Sequence, residues 1–265
     1  MKRILVSNDD GHQSDGLRAL VEAVAGLGEV WVVAPETEQS AAAHAISLHR
    51  PLRIREVRER FFAVDGTPTD CSYMGINHLM RGARPDLMLS GINHGPNLAN
   101  DVTYSGTVAA AMEATIMGVP SIAFSLATRR HFDFRPAARF AAAFAAAALE
   151  QPLPPGMLLN VNVPGGVEPE GYVIAPLGQH SYGSEVIEKE DPRGRKYYWI
   201  GGSEYQHDDI PGSDCNVVYR ERRVAVTPLQ LDLTDRPTAA FVAGWRVAGF
   251  RQFPSSLTGA PDAGA

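Results

Sequence analysis

The sequence has little cysteine, no surplus of positive charge and no long apolar run, and each shortage removes a class of protein. Its 265 residues include two cysteines, Cys71 and Cys215, whose wide separation matches neither a disulfide framework nor a zinc site. They read as two reduced thiols, the state expected in the cytoplasm. Thirty acids against 24 Lys and Arg give a net charge of −6. That balance argues against a broad footprint for a nucleic-acid polymer or an anionic membrane, and leaves room for a small nucleotide at a local site. The most apolar stretch, AARFAAAFAAAAL (137–149), is too short to cross a bilayer, holds Arg139, and reads as an Ala-rich helix. MKRILVSNDD has no apolar signal-peptide core before its acids. The expectation is a cytoplasmic protein with no membrane partner.

Several signatures are missing as well. The first loop has no G-x-G-x-x-G, which argues against NAD or FAD, and no G-x-x-x-x-G-K-[ST] occurs, which removes a P-loop NTPase. There is no G-x-S-x-G nucleophile elbow and no D-x-D start of the haloacid-dehalogenase type. No internal repeat or heptad pattern is present.

What is there is an ordinary globular composition, 45% hydrophobic and 20% charged, in a chain long enough for one large domain or a domain with an appendage. RILVS (3–7) is a short apolar run suited to a strand buried on both faces, DGLRALVEAVAGLG (15–28) has helical spacing, and EVWVVAP (29–35) is the next strand. PLRIREV and RFFAVDG (51–66) read as paired strands. TPTDCSYMGINHLMRG (67–82) opens a helix with Thr67 as N-cap and Pro68 behind it. PDLMLSG (85–91), a helix over 105–120 and SIAFS (121–125) continue the alternation. This predicts an α/β fold: a Rossmann-like, mostly parallel sheet with helices on both faces over residues 1–178. LLNVNVP (158–164) and GYVIAPL (171–177) are its last strands. Residues 179–250 read as a C-terminal extension: a β-hairpin arm within the polar, aromatic stretch 179–223, a returning strand at 223–231 and a closing helix at 237–250. Residues 251–265 read as a disordered tail.

In open α/β sheets ligands bind past the carboxyl ends of the strands. Past the first strand stand Asn8, Asp9, Asp10 and Gly11; past the second, PETEQSAAAH with Ser40; past PDLMLS, GINHGPN with Asn93 and Asn97; then YSGTV with Ser105, Gly106 and Thr107. Adjacent acids repel and are costly to desolvate. Asp9 and Asp10 therefore either sit solvated in an Asx-type turn or share a cation. Carboxylates, a hydroxyl and an amide carbonyl form a hard-oxygen set that suits Mg²⁺, Mn²⁺ or Ca²⁺. The YSGTV turn is either a simple N-cap or an anion site built from unpaired N–H groups at a helix start. His94 lies inside its loop, either facing solvent or helping to bind phosphate. His12, His44 and His94 are all open as proton donors, and spacing does not single one out.

The segments SNDDG, APETEQSAAAHAIS, VDGTPTDC, PDLMLSGINHGPN, YSGTVAAAMEA, GVPSIAFS, LNVNVP and VTPLQLDLT, in order from residue 4 to about 234, resemble the SurE family of survival-protein 5′/3′-nucleotidases. The resemblance implies a metal-dependent phosphomonoesterase acting on nucleoside 5′- and 3′-monophosphates and, in some members, on short polyphosphate. It implies one Mg²⁺ or Mn²⁺ per subunit, held by Asp9, Asp10, Ser40 and Asn93, with Asp9 and Asp10 also catalytic. It implies phosphate near Ser105, Gly106, Thr107 and Asn97, and a homodimer or homotetramer that exchanges C-terminal arms. One departure stands out. Some relatives carry a histidine four residues after the acid of D-L-T, where this chain has Asp232 followed by Arg236. Two other classes use similar loops: a metal-dependent nucleotide-sugar transferase, and a non-catalytic nucleotide sensor. Fold alone does not separate them.

Overall fold

A computed structural model describes residues 1–151, 153–182, 186–200, 205–253 and 257. In chain order the elements are β1 (Arg3–Ser7), α1 (Asp15–Val24), β2 (Glu29–Pro35), β3 (Ile54–Arg58), β4 (Phe61–Val64), α2 (Pro68–Met74), β5 (Leu87–His94), α3 (Gly106–Ile116), β6 (Ser121–Ala127), α4 (Arg135–Glu150), β7 (Met157–Pro164), β8 (Tyr172–Ile174), β9 (His180–Tyr182), β10 (Val186–Glu190), β11 (Lys196–Ile200), β12 (Tyr205–His207), α5 (Asp214–Tyr219), β13 (Val224–Gln230) and α6 (Arg236–Ala243). A nine-stranded sheet runs in the order β3-β4-β2-β1-β5-β6-β7-β13-β8. β1 pairs in parallel with β2 and β5, β5 with β6, β6 with β7, and β13 with β8, while β3 and β4 are antiparallel. The expected mostly parallel α/β architecture is what forms, and the structure adds an antiparallel β3–β4 edge.

The pattern within each strand explains the layers. Ile4 and Val6 of β1 join Leu87, Leu89, Ile122 and Phe124 in a buried cluster with Leu17, Leu20 and Val24 of α1 and the alanines Ala137, Ala141 and Ala145 of α4. Leu5, one residue out of phase, points to the opposite face, where it lies close under Gly75 at the end of α2. Ser14 caps α1 by accepting from Leu17 N–H. Thr67 caps α2 in a reciprocal capping box with Asp70, with Pro68 just inside. Past Met74 the helix loosens into a short π turn, Gly75–Leu79, so the segment expected to be helical to residue 82 is shorter than its pattern.

The chain divides into two compact units, Met1–Leu229 and Gln230–Ala265. The first therefore runs past residue 178. Two features draw 179–229 into it. β13 returns to the main sheet, and α5 places Cys215, Val217 and Val218 in a second buried cluster with Leu98, Ala99, Ala127 and Ala175. The stretch 179–223 is thus not arm alone: β10 and β11 do form an exposed antiparallel hairpin, but the stretch also contains the helix α5. Both cysteines are free and buried, and burial pushes each thiol pKa up, so neither is a poised nucleophile. The second unit holds α6, eight residues long and so shorter than the closing helix expected over 237–250, with Phe241 and Trp245 meeting edge to face. Most of the tail expected at 251–265 lies outside the described residues. No described helix is long and apolar enough to cross a membrane.

Candidate active site

The strand ends converge as the sheet topology requires. A cavity of about 680 Å³ at the carboxyl ends of β1, β2 and β5 is lined by Asp9, Asp10, Ser40, Asn93, Asn97 and Ser105, among others. Six of the eight residues singled out from the sequence therefore share one space. Gly106 and Thr107 stand just behind them, against Asp9.

β1 delivers Asp9 almost fully buried, 5% exposed. Gly11, with φ of +93°, turns the chain sharply after the two acids. Gln39 N–H donates to the Asp9 carbonyl at 2.8 Å and His12 N–H to the Pro35 carbonyl at 2.8 Å, which ties the loop after β2 to the loop after β1. The Thr107 hydroxyl donates to Asp9 Oδ1. A Cβ on Gly106 would lie 2.8 Å from the Asp9 Cβ, so only glycine lets the first turn of α3 approach this closely. Burial, and next the charge of Asp10, raise the Asp9 pKa from 3.8 to about 7, against the hydrogen bonds from Thr107. Asp10 accepts from His94 N–H at 3.2 Å and lies 3.0 Å from His94 Nδ1. The carboxylate favours the charged imidazole and raises the His94 pKa. His94 packs edge-on against Phe132 and Phe134.

The remaining ligand candidates are positioned from other elements. Asn93 Nδ2 donates to the Gly95 carbonyl at 3.0 Å. The Ser40 hydroxyl donates to Glu38 at 2.6 Å. Its loop is pinned to the turn before α3 by Ala43 N–H to the Tyr104 carbonyl at 3.1 Å and to α3 itself by His44 Nε2 to Glu113 at 2.8 Å. Asn97 is gripped from β7: its N–H donates to Asn162 Oδ1 at 2.8 Å, and its carbonyl accepts from Asn160 and Asn162 at 2.7 and 2.9 Å. The asparagines of LLNVNVP thus hold the β5 loop rather than lining the cavity. Ser105 Oγ accepts from Val108 N–H at 3.1 Å, the capping role, while the residue also lines the cavity.

Comparison with known proteins now decides the family. Residues 4–184 match the family model described as survival protein SurE. The chain belongs to the SurE family. It is 70% identical over 251 residues to a protein named 5′-nucleotidase SurE from Myxococcus xanthus, covering 95% of this chain and 96% of that one. A protein of the same name from Geobacter sulfurreducens is 49% identical over 260 residues, covering 97% of this chain and 98% of its own. The crystal structure of a SurE protein from Aquifex aeolicus superposes with a TM-score of 0.81 at 38% identity, over 91% of this chain and 99% of that one.

In this SurE chain the fit of a divalent cation can be judged from the donors. Among the described residues no three His, Cys, Asp or Glu side chains cluster as a ready cage. The set at hand is two carboxylates, a hydroxyl and an amide, all oxygen donors on one cavity. That cavity is otherwise poorly suited to an anion: Asp9, Asp10, Glu38 and Asp101 line it against Arg129 and His94. A hard dication would offset that excess of negative charge, including the Asp10 charge that adds to burial in raising the Asp9 pKa. The donors fit the group.

Arg129 and Asp101 are the residues missed from the sequence. Arg129 stands two residues past the end of β6, at a strand end like the other site loops. Asp101 lies in a 3-10 turn, Ala99–Thr103, and no local pattern marks it. Asp232 and Arg236, at the departure from some relatives, form an i,i+4 pair at 3.5 Å within the second unit.

Proposed function

We propose that this chain is a metal-dependent phosphomonoesterase that hydrolyses nucleoside 5′- and 3′-monophosphates to nucleoside and phosphate, with short polyphosphate as a further substrate. The observation that carries the proposal is the adjacent pair Asp9 and Asp10, Asp9 buried against the first turn of α3 and Asp10 half-buried beside it, in a cavity whose other walls supply Ser40, Asn93 and Arg129. The relatives named 5′-nucleotidase support the same substrate class.

Asp9, Asp10, Ser40 and Asn93 would hold one Mg²⁺ or Mn²⁺ per subunit. Such an ion supplies Lewis-acid polarisation of a phosphoryl oxygen and acidifies bound water. Thr107 fixes Asp9 in one rotamer through its hydroxyl. One of the two acids orients the attacking water and accepts its proton. Arg129 brings positive charge to the cavity wall for the phosphoryl oxygens, and Ser105 faces the same space from the helix start. A cytoplasmic location and assembly as a dimer or tetramer belong to the same proposal. The exposed hairpin β10–β11, with Tyr198 and Trp199 in solvent, supports a role for that arm in assembly, because an isolated two-stranded hairpin is marginal in water.

The test is phosphate release from 5′-AMP and 3′-AMP with Mn²⁺ or Mg²⁺, an EDTA control and Asp9→Asn in parallel. Metal-dependent release that the variant loses is the expected result. No release from either nucleotide, although the metal binds, would turn the reading to a transferase or a sensor.

A further inference from the structure

A second cavity, of about 310 Å³, adjoins the first. It is lined by Pro96, Ala127, Thr128, Arg129, His207 and Tyr219. Pro96 and Arg129 line both cavities, so the two share a wall. Their chemistry differs sharply. The first gathers carboxylates and oxygen donors; the second offers a proline ring, an alanine methyl and two flat rings. His207 and Tyr219 lie with centroids 5.0 Å apart and planes tilted by 31°.

His207 reaches this place by a traceable route. The β9–β12 ladder pairs it with His180. His180 Nδ1 meets Asp101 Oδ2 at 2.9 Å, and its N–H donates to Asn100 Oδ1 at 2.9 Å. Asp101 is itself part of the first cavity's wall. The ladder that carries His207 is therefore anchored to the catalytic cavity, and Tyr219 comes from the end of α5, whose buried face packs on Ala127 and Leu98.

A nucleoside monophosphate has the matching polarity: a phosphate dianion at one end, a planar aromatic base at the other and a sugar between. We propose that the second cavity is the nucleobase subsite, with His207 and Tyr219 as stacking residues and Arg129 at the junction between base and phosphate. This rests on the nucleotidase reading above. Stacking is tolerant of base identity because every base has a π face. The subsite so built favours nucleotides over phosphate esters without a base and discriminates weakly among the four bases.

The experiment compares 5′-AMP with ribose 5-phosphate, which keeps the phosphate and sugar and lacks the base. In His207→Ala the ratio of kcat/KM for 5′-AMP to that for ribose 5-phosphate is expected to fall about tenfold, through KM. His207→Phe, which restores a flat ring, is expected to recover most of that ratio. An unchanged ratio in His207→Ala overturns the proposal, and so does a loss found in Tyr104→Ala instead, which would put the base on the opposite rim. A second measurement needs the unaltered protein alone: adenosine is expected to compete with ribose 5-phosphate hydrolysis far better than ribose does, and equal competition overturns the proposal. If the unaltered protein releases phosphate from neither ester, the nucleotidase reading has failed and this inference falls with it.

Discussion

Asp9 and Asp214 are both buried, and the protein holds them in opposite ways. Asp214, fully buried at the start of α5, accepts from three backbone N–H groups: Ala99 at 2.9 Å, Gly178 at 2.7 Å and Cys215 at 2.8 Å. Each of those donors comes from a different segment, so one carboxylate joins the β5 loop, the chain before β9 and α5. Asp9 has Thr107 as its partner and a second carboxylate as its neighbour, and its pKa rises to about 7. The difference separates structure from function. Asp214 is satisfied by the fold; Asp9 is left with an unmet negative charge, which the proposed cation would offset. The junction around Asp214 ties the β5 loop to α5, while burial and the neighbouring Asp10 charge keep the Asp9 pKa raised.

The largest effect expected from this contrast is on catalysis. If Asp9 is a ligand of the proposed metal, Asp9→Asn removes a charge from that site, and phosphate release should fall by roughly three to four orders of magnitude, the scale of losing several kcal/mol of transition-state stabilisation. The increase in melting temperature that Mn²⁺ gives the unaltered protein should vanish with it. Full activity in the variant would erase the distinction between the two aspartates.

The same substitution should stabilise the metal-free protein at neutral pH. Between pH 3.8 and about 7 native Asp9 keeps a proton that the unfolded chain has lost. The unfolded state binds fewer protons there, so stability falls as pH rises across that window and levels off above it. With EDTA present, the difference in unfolding free energy between Asp9→Asn and the unaltered protein should be small near pH 4. It should grow in favour of the variant to about 4 kcal/mol above pH 7, at 1.36 kcal/mol per pKa unit. Subtracting the two curves cancels the carboxylates whose pKa values are lowered, such as Asp65 and Asp86, which act in the opposite sense. A flat difference would mean that Asp9 is not destabilised by its burial.

Asp214→Ala tests the other side. It strands three buried N–H groups, and unfolding free energy measured in urea should drop by about 3 kcal/mol. The stabilisation conferred by Mn²⁺ should persist in the folded variant. A variant of unaltered stability that no longer responds to metal would reverse the roles assigned to the two aspartates.

Much of this contrast was legible in the sequence, on one side only. NDDG after a β-branched run announces paired acids at a strand end, and the Thr67–Pro68 helix start and the α/β alternation came from local rules that the structure obeys. The junction side was not legible. α5 is six residues long, too short to show a helical period, and it sits in a stretch whose aromatic and polar texture suggests an arm. Asp214 takes its meaning from Ala99, 115 positions away, and no spacing rule spans that distance. The turn at Ser105–Thr107 was legible as a helix start, but which group its hydroxyls face is a tertiary fact. Thr107 lies fully buried with its hydroxyl on Asp9.

That last point gives the smallest and sharpest test. Thr107→Val keeps the shape of the side chain and removes the one hydroxyl that orients Asp9. If the hydroxyl acts through Asp9, the affinity for Mn²⁺ should weaken about 10- to 100-fold, the usual effect of removing a hydrogen bond behind a metal ligand. The KM for 5′-AMP at saturating Mn²⁺ should then stay near its original value. If instead KM for the ester rises while the affinity for Mn²⁺ holds, the hydroxyl serves the phosphate directly, and the first turn of α3 is an anion site rather than a brace. Calorimetric titration with Mn²⁺ beside steady-state kinetics at saturating metal separates the two. The buried position of Thr107, with no part in the cavity's lining, favours the brace: a group shut away from the substrate can reach it only by holding the one that does.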